Sequence, residues 1–163
     1  MTDVRAPILA KLDALGISYV LYEHPPVFTA EEAEMHWQAI PGKAVKNLFL
    51  RNKKGDRHYL VILGIEKRAD LKQLVKVIGD DRLSFGSPER LMKHLGVTPG
   101  SVSPLGLIHD TAHAVRVIVD SDLRGAEHLI FHPNDNTASL TISGADFARF
   151  LETQGNTVRW LTV

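Results

Sequence analysis

The chain has 163 residues, of which 44% are hydrophobic and 23% charged, with a formal net charge of zero and no cysteine. This length favours a single domain over residues 1–163. The absence of cysteine excludes disulfides, thiolate zinc sites and cysteine nucleophiles. Neither a secretory signal nor an apolar run of about 18 residues is present, so we expect a cytoplasmic protein without membrane contact.

The neutral net charge hides an uneven distribution along the chain. Residues 43–76 carry ten basic and three acidic side chains, whereas residues 1–42 carry two basic and six acidic ones. A basic block on a neutral protein indicates one face for a polyanion. The alternative is a lysine-rich surface that is merely solvated.

Helical and strand patterns follow one another in groups. Apolar residues at helical spacing open the chain, and Gly16 ends that first helix. Thr29 to Glu32 form a capping box for a second helix, and residues 52–56 join two apolar strands as a hairpin. In chain order the patterns predict helix 4–15, strand 17–22, helix 29–37, strands 44–51 and 58–63, helix 69–78, strand 83–85, helix 87–95, strands 114–119, 128–131 and 138–142, helix 143–154 and strand 157–161.

The order of these elements indicates the fold class. Strands cluster in hairpin-like groups and do not alternate strictly with helices. We therefore expect an α+β domain with a central mixed, largely antiparallel sheet flanked by helices, and not a doubly wound fold.

A loop rich in proline and glycine follows the fourth helix. Its centre is Gly100-Ser101-Val102-Ser103-Pro104, which cannot continue a helix or a central strand. Such a loop can hold a small substrate through its main chain, although a plain connector has the same composition. It does not match the Gly-x-Ser-x-Gly elbow, so we interpret Ser101 and Ser103 as ordinary loop serines and not as nucleophiles.

Lys46 is the most informative charged residue. Strand alternation places it on one face with Leu48 and Leu50. A lysine among leucines needs a negative partner or a cleft, where its ammonium can hold a phosphate or a developing oxyanion. The alternative is a strand-end lysine that extends to water.

Histidines are the remaining candidates for catalytic or metal-binding roles. His132 ends a strand in the turn Phe131–Asp135, where an imidazole can orient a water near neutral pH, or can have no role at all. The pairs His109/His113 and His128/His132 have i, i+4 spacing, but neither pair is predicted on a helix, where that spacing would place both ligands on one side. The spacing therefore does not favour a zinc site.

Taken in order, these residues resemble the YbaK/ProX family of aminoacyl-tRNA deacylases, and within it the free-standing ProXp-ala (PrdX-type) branch, which clears alanine from tRNA for proline. The similar segments cover nearly the whole chain and are Tyr22–Thr29, Lys46–Leu50, the Gly-x-x-x-Pro loop at 100–104 and Phe131–Asn134. The resemblance implies a small α+β fold that hydrolyses the ester between an amino acid and the terminal adenosine of tRNA. It also implies that no protein nucleophile, metal or cofactor is required.

The resemblance also assigns roles to residues. It implies that Lys46, Gly100 and His132 are catalytic, with Lys46 holding the 3′-terminal nucleotide. The implied substrate-binding residues are Val27, Phe28, Asn47, Ser101, Val102, Ser103, Pro104, Phe131 and Asn134. The basic residues expected to contact the acceptor stem are Arg51, Lys53, Lys54 and Arg82.

The expected partner is aminoacylated tRNA, contacted at its acceptor stem and 3′ end, with transient contact to prolyl-tRNA synthetase. Alanine is the favoured amino acid, because a synthetase site shaped for proline cannot strongly reject a smaller side chain. Cysteine or another small amino acid is the nearest alternative. A non-catalytic tRNA-binding or regulatory module and a metal-dependent hydrolase are the alternatives from other classes.

Overall fold

The computed structural model describes residues 3–26 and 29–163. In chain order the elements are α1 (Ala6–Ala14), β1 (Val20–Glu23), α2 (Ala30–Trp37), β2 (Lys43–Arg51), β3 (His58–Gly64), α3 (Leu71–Ile78), β4 (Ser84–Phe85), α4 (Pro88–Leu95), β5 (Val115–Asp120), β6 (His128–Phe131), β7 (Ala138–Ser143), α5 (Gly144–Gln154) and β8 (Val158–Leu161), with short 3₁₀ helices at Pro104–His109 and Ser121–Leu123.

Each predicted helix and strand is present, and the differences lie at the ends. Helix α3 begins after Asp70, whose side chain accepts hydrogen bonds from the N–H groups of Lys72 and Gln73. The proline-rich loop is shorter than its composition indicates. Pro104 begins a 3₁₀ helix for which the buried Ser103 hydroxyl is the N-cap.

One sheet with the strand order β1-β7-β6-β2-β3-β5-β8 organises the molecule, and β4 pairs with an edge of β2. Four pairs are antiparallel (β1–β7, β6–β7, β2–β3 and β2–β4) and three are parallel (β2–β6, β3–β5 and β5–β8). The expected mixed sheet is confirmed. The antiparallel share is only slightly the larger, because β5, β6 and β8 each enter through a crossover and not through a hairpin.

Apolar layers cover both sides of the sheet. On one side, which we call the α4 face, α1, α4 and α5 pack on alternate strand residues such as Val45, Phe49 and Leu60. On the other side, the α2–α3 face, Leu50 packs with α3, and Ile130 packs with Trp37 of α2. Odd-numbered residues of β2 therefore point to the α4 face and even-numbered ones to the α2–α3 face.

A polar cluster interrupts the α4 face at the β2–β3 hairpin. His58 is buried, its ring lies 4.4 Å from that of His94 and 5.7 Å from that of Phe49, and its Nε2 lies 2.8 Å from Arg90 Nη1. Burial is the main reason that the pKa of His58 is lowered to about 4, and the charges of His94, Arg90, Lys93 and Arg51 lower it further. The imidazole is therefore neutral at pH 7.

This neutral histidine predicts a pH dependence of stability. Between pH 4 and 6.5 the unfolded chain binds a proton at His58 that the folded chain does not, so the free energy of unfolding rises with pH across this window. We expect His58→Gln to reduce the slope of the free energy of unfolding against pH, by up to the contribution of one bound proton. Urea unfolding from pH 4.5 to 7.5 measures this slope. An unchanged slope in this variant would show that His58 is protonated equally in both states.

Candidate active site

Strand β2 has an open edge in the middle of the sheet. It pairs with β6 only through Lys43–Leu129 and Ala44–Ile130, and with β4 only through Leu50–Phe85 and Arg51–Ser84. Between these pairings, no strand of the described chain lies against residues 45–49 on that side. We call this opening the β2 gap.

Main-chain groups of β2 point into the gap. Ala44 O accepts from Ile65 N on the β3 side, whereas Phe49 O accepts from Gly86 N on the β4 side. Because these groups alternate sides along an antiparallel strand, the N–H and C=O of Asn47 point away from β3 and into the gap. They provide one donor and one acceptor that the sheet itself does not use.

The Gly100–Pro104 loop contacts β2 at the gap, on the α4 face. Asn47 Nδ2 donates to Val102 O at 3.3 Å, and Asn134, in the turn after β6, donates from Nδ2 to Leu95 O at the end of α4 at 3.5 Å. Gly100 takes a φ of +95°, which favours glycine, and Ser103 Oγ accepts from Leu105 N at 3.2 Å. The loop is therefore attached to β2 at Val102 and continues into a capped 3₁₀ helix that begins at Pro104.

Lys46 borders the same gap from the opposite face of β2. Its side chain is half-buried, and its Nζ donates to the carbonyl oxygen of Lys67. That carbonyl is anchored, because Lys67 Nζ lies 2.6 Å from the fully buried Asp120 carboxylate. Desolvation lowers the pKa of Lys46, partly offset by the Glu66 carboxylate.

The position of Lys46 refines one expectation. Lys46 and Leu50 share a face, as alternation predicts, but the loop lies on the other face with Asn47. The ammonium and the loop therefore do not share a continuous wall. Strand β2 links them, because Lys46 and Asn47 are neighbours in the chain.

His132 lies on the Lys46 side of the gap. Ala44 and Ile130 pair across β2 and β6, and Lys46 and His132 follow them two residues later on the same α2–α3 face. His132 is buried, and its Nδ1 lies 2.9 Å from Ala138 O. Burial is the main cause that lowers the pKa of His132, so the ring is neutral, its Nδ1–H donates to the carbonyl and its Nε2 is left as an acceptor.

Two buried side-chain acceptors flank the loop. Asn47 Oδ1 and Asn134 Oδ1 have no hydrogen-bond partner among the residues that the structure describes. Because each amide directs its nitrogen at a carbonyl, each oxygen is the atom left over. Buried acceptors of this kind are costly unless a donor such as a water or an amine reaches them.

The other predicted site residues are dispersed. The prediction that Phe131 binds substrate is corrected, because its ring stacks on Phe147 at 4.8 Å within the core and does not line the gap. Ser101 and Pro104 are buried in the loop, and Val27 and Phe28 lie outside the described residues. Arg51, Lys53 and Lys54 lie at the β2–β3 hairpin, and Arg82 follows Asp81, which accepts from Lys53 N at 3.0 Å.

Sequence reasoning missed a clamp behind the His132 turn. Arg5 Nε donates to Asp135 Oδ2 at 3.0 Å and Arg5 Nη2 donates to Thr137 Oγ1 at 2.6 Å. These bonds hold the turn that carries His132 and Asn134 against α1. No local signal could reveal them, because the partners lie 130 and 132 residues apart in the chain.

Residues 3–26 and 29–163 contain no group of three or more histidine, aspartate or glutamate side chains placed to hold a metal ion. No helix in these residues has the length and apolar character that crossing a bilayer requires.

Comparison with known proteins places the chain in a family. The model of the aminoacyl-tRNA editing domain matches residues 24–150. The prolyl-tRNA editing protein ProX of Acetoanaerobium sticklandii is 43% identical over 157 residues, with 96% of each chain covered. The prolyl-tRNA synthetase associated domain-containing protein 1 of Danio rerio is 36% identical over 152 residues, with 92% of this chain and 82% of the relative covered.

Solved structures agree at the level of the fold. A crystal structure described as a candidate trans-editing enzyme for prolyl-tRNA synthetase superposes with a TM-score of 0.73 at 24% identity, covering all of this chain and 99% of the other. The residues of the β2 gap and of the Gly100–Pro104 loop lie within the matched segment 24–150. The protein belongs to the aminoacyl-tRNA editing domain family.

Proposed function

We propose that this protein is a trans-editing deacylase that hydrolyses the ester of a mischarged tRNA, with alanyl-tRNA for proline as its substrate. The observation that carries the proposal is the hydrogen bond from Asn47 to Val102 O, which attaches a main-chain loop to β2 at the residue next to Lys46. The name of the A. sticklandii relative, a prolyl-tRNA editing protein, supports the tRNA.

The chemistry requires no attacking side chain. Water adds to the ester carbonyl, the bond to the ribose oxygen breaks, and the products are a free amino acid and a tRNA with its terminal hydroxyls restored. An aminoacyl ester is already activated, so placing water and donors correctly supplies much of the barrier reduction. Lys46 stabilises the developing oxyanion or the terminal nucleotide, and His132 Nε2 accepts a hydrogen bond from the water.

Amino-acid selection is assigned to the loop and the two asparagines. The α-amino group of the substrate is a donor, and the buried Asn47 Oδ1 and Asn134 Oδ1 are acceptors that need one. Val102 packs half-buried against the core and accepts from Asn47, so its loop has a fixed position that restricts the room for a side chain. A rigid loop with little bulk admits alanine and excludes the proline ring, which gives the second sieve that a proline-charging synthetase needs.

Transient contact with prolyl-tRNA synthetase is part of the proposal. A proline–tRNA ligase of Thermotoga maritima is 26% identical to 106 residues of this chain, which correspond to 17% of the ligase. A segment of this kind inside a ligase supports delivery of the tRNA from that enzyme to a free-standing relative.

The purified protein should discriminate among charged tRNAs. We expect rapid deacylation of alanyl-tRNA for proline, slower deacylation of cysteinyl- and seryl-tRNA, and no deacylation of prolyl-tRNA, with the same rates in the presence of a chelator. Release of labelled amino acid measures the rates. A preference for cysteinyl-tRNA would show that cysteine, and not alanine, is the amino acid removed. Loss of activity with chelator would indicate a metal-dependent hydrolase. Binding without turnover would indicate a non-catalytic module.

A further inference from the structure

Two guanidinium groups converge beside Gly55, in the turn of the β2–β3 hairpin. Arg51 Nη1 lies 3.2 Å, and Arg90 Nη2 lies 2.9 Å, from the point where a Cβ on Gly55 would stand. Arg51 comes from the end of β2 and Arg90 from α4, so two separate elements direct cations at the same small volume. Like charges at this range repel each other, and an anion placed between them removes the repulsion.

Arg90 is oriented without being neutralised. Its Nη1 donates to Gly55 O at 2.9 Å and to His58 Nε2 at 2.8 Å. Both acceptors are uncharged: Gly55 O is a main-chain carbonyl oxygen, and the His58 ring is neutral because its pKa is lowered to about 4. The guanidinium therefore keeps its full charge while its Nη2 points at the volume beside Gly55.

No carboxylate balances the pair. Within the described chain, neither Arg51 nor Arg90 has an acidic group within ion-pair distance. Asp56, the acid nearest Arg51 in sequence, accepts a hydrogen bond from Asn52, and the exposed Glu89, next to Arg90 in the chain, forms no ion pair with either arginine. The exposed Lys93, one turn beyond Arg90 on α4, adds further positive charge.

We propose that Arg51 and Arg90 form a binding site for a backbone phosphate of RNA, which seats the strand that leads to the 3′ end of the tRNA. A guanidinium fork matches two phosphate oxygens, which makes arginine suited to this ligand. This inference rests on the proposed function for the identity of the RNA.

The position of the pair along β2 agrees with this ligand. Arg51 and Asn47 share the α4 face of β2 and are separated by four residues, or about 13 Å of strand. Phe49 lies between them and contacts the His58 and His94 rings. The phosphate site and the β2 gap therefore lie at two points along one strand, and the distance between them is a few nucleotides of a bound strand.

The test is the salt dependence of binding to an uncharged tRNA transcript for proline. We expect Arg51→Gln to weaken binding about tenfold and to reduce the slope of log K against log salt by about 0.7 to 0.9, the loss of one phosphate contact. Arg116→Gln is the matched control, because it removes the same charge from an exposed residue on the α2–α3 face beside Tyr59. Its slope should equal that of the wild type.

A second variant tests the site in case Arg51→Gln disturbs the folding of the hairpin. Lys93→Gln changes an exposed α4 residue near the pair, so we expect a smaller slope without disturbance of the hairpin. Unchanged slopes in both variants would overturn the phosphate site, even if the protein deacylates alanyl-tRNA. Reduced slopes in a protein that deacylates nothing would support the site and contradict the proposed function, because binding is measured without turnover.

Discussion

Replacing Lys46 with methionine is expected to lower the rate of deacylation at saturating alanyl-tRNA by about two to three orders of magnitude, the usual effect of removing one oxyanion donor. Methionine keeps most of the apolar stem beside the Leu63 position of β3 and removes only the ammonium. The structure should persist, because the single hydrogen bond that is lost joins a half-buried side chain to a carbonyl oxygen.

Lys43→Met is the matched control for this variant. Lys43 belongs to the same strand, and its Nζ lies 3.5 Å from an exposed Glu66 carboxylate, an ion pair of little energetic weight. We expect its turnover to remain within about twofold of the wild type. Near-normal turnover in Lys46→Met, with unfolding curves that match the wild type, would remove Lys46 from the mechanism.

The second large effect is expected at Asn47. Asn47→Leu removes two groups at once. It removes the Nδ2 donor that holds Val102 O, and it removes the buried acceptor Oδ1, which has no partner in the described residues. We expect turnover to fall about tenfold to a hundredfold, because each lost polar contact is worth about one to a few kcal/mol. Hydrogen exchange at the amides of residues 100–103 should become faster, since the loop loses its attachment to β2.

Asn47→Asp separates the two roles of the amide. Aspartate keeps an acceptor in place of Oδ1 but cannot donate to Val102 O, so we expect turnover to remain low and exchange of the loop to remain fast. Full activity in Asn47→Asp would show that only the acceptor matters. Unchanged exchange in Asn47→Leu would show that the hydrogen bond does not hold the loop.

Much of the fold follows from local signals. The capping serines Ser87 and Ser143, the hairpin turn after Arg51 and the left-handed glycines at helix ends fix the elements within a few residues. The sequence predicts that Lys46 shares a face with Leu50, because alternation is a property of the strand alone. The mixed sheet was predicted from the grouping of strands, although the parallel pairs were underestimated.

The arrangement around the gap could not be predicted in the same way. The end of the β2–β6 pairing at Ala44 and the contact of the loop with Asn47 are both tertiary features. The resemblance implies Phe131 as a substrate-binding residue, yet alternation sends its ring into the core. The convergence of Arg51 with Arg90 joins residues 39 positions apart in the chain, which no spacing rule detects.

The central claim is that a fixed main-chain loop and one ammonium cleave an activated ester with water alone. Rapid-quench deacylation of alanyl-tRNA for proline, followed by the intact mass of the protein, tests this claim most directly. We predict complete release of alanine with a protein mass that never changes during the reaction. An alanyl adduct on Ser101, Ser103 or any other side chain, or no release at all, would contradict it.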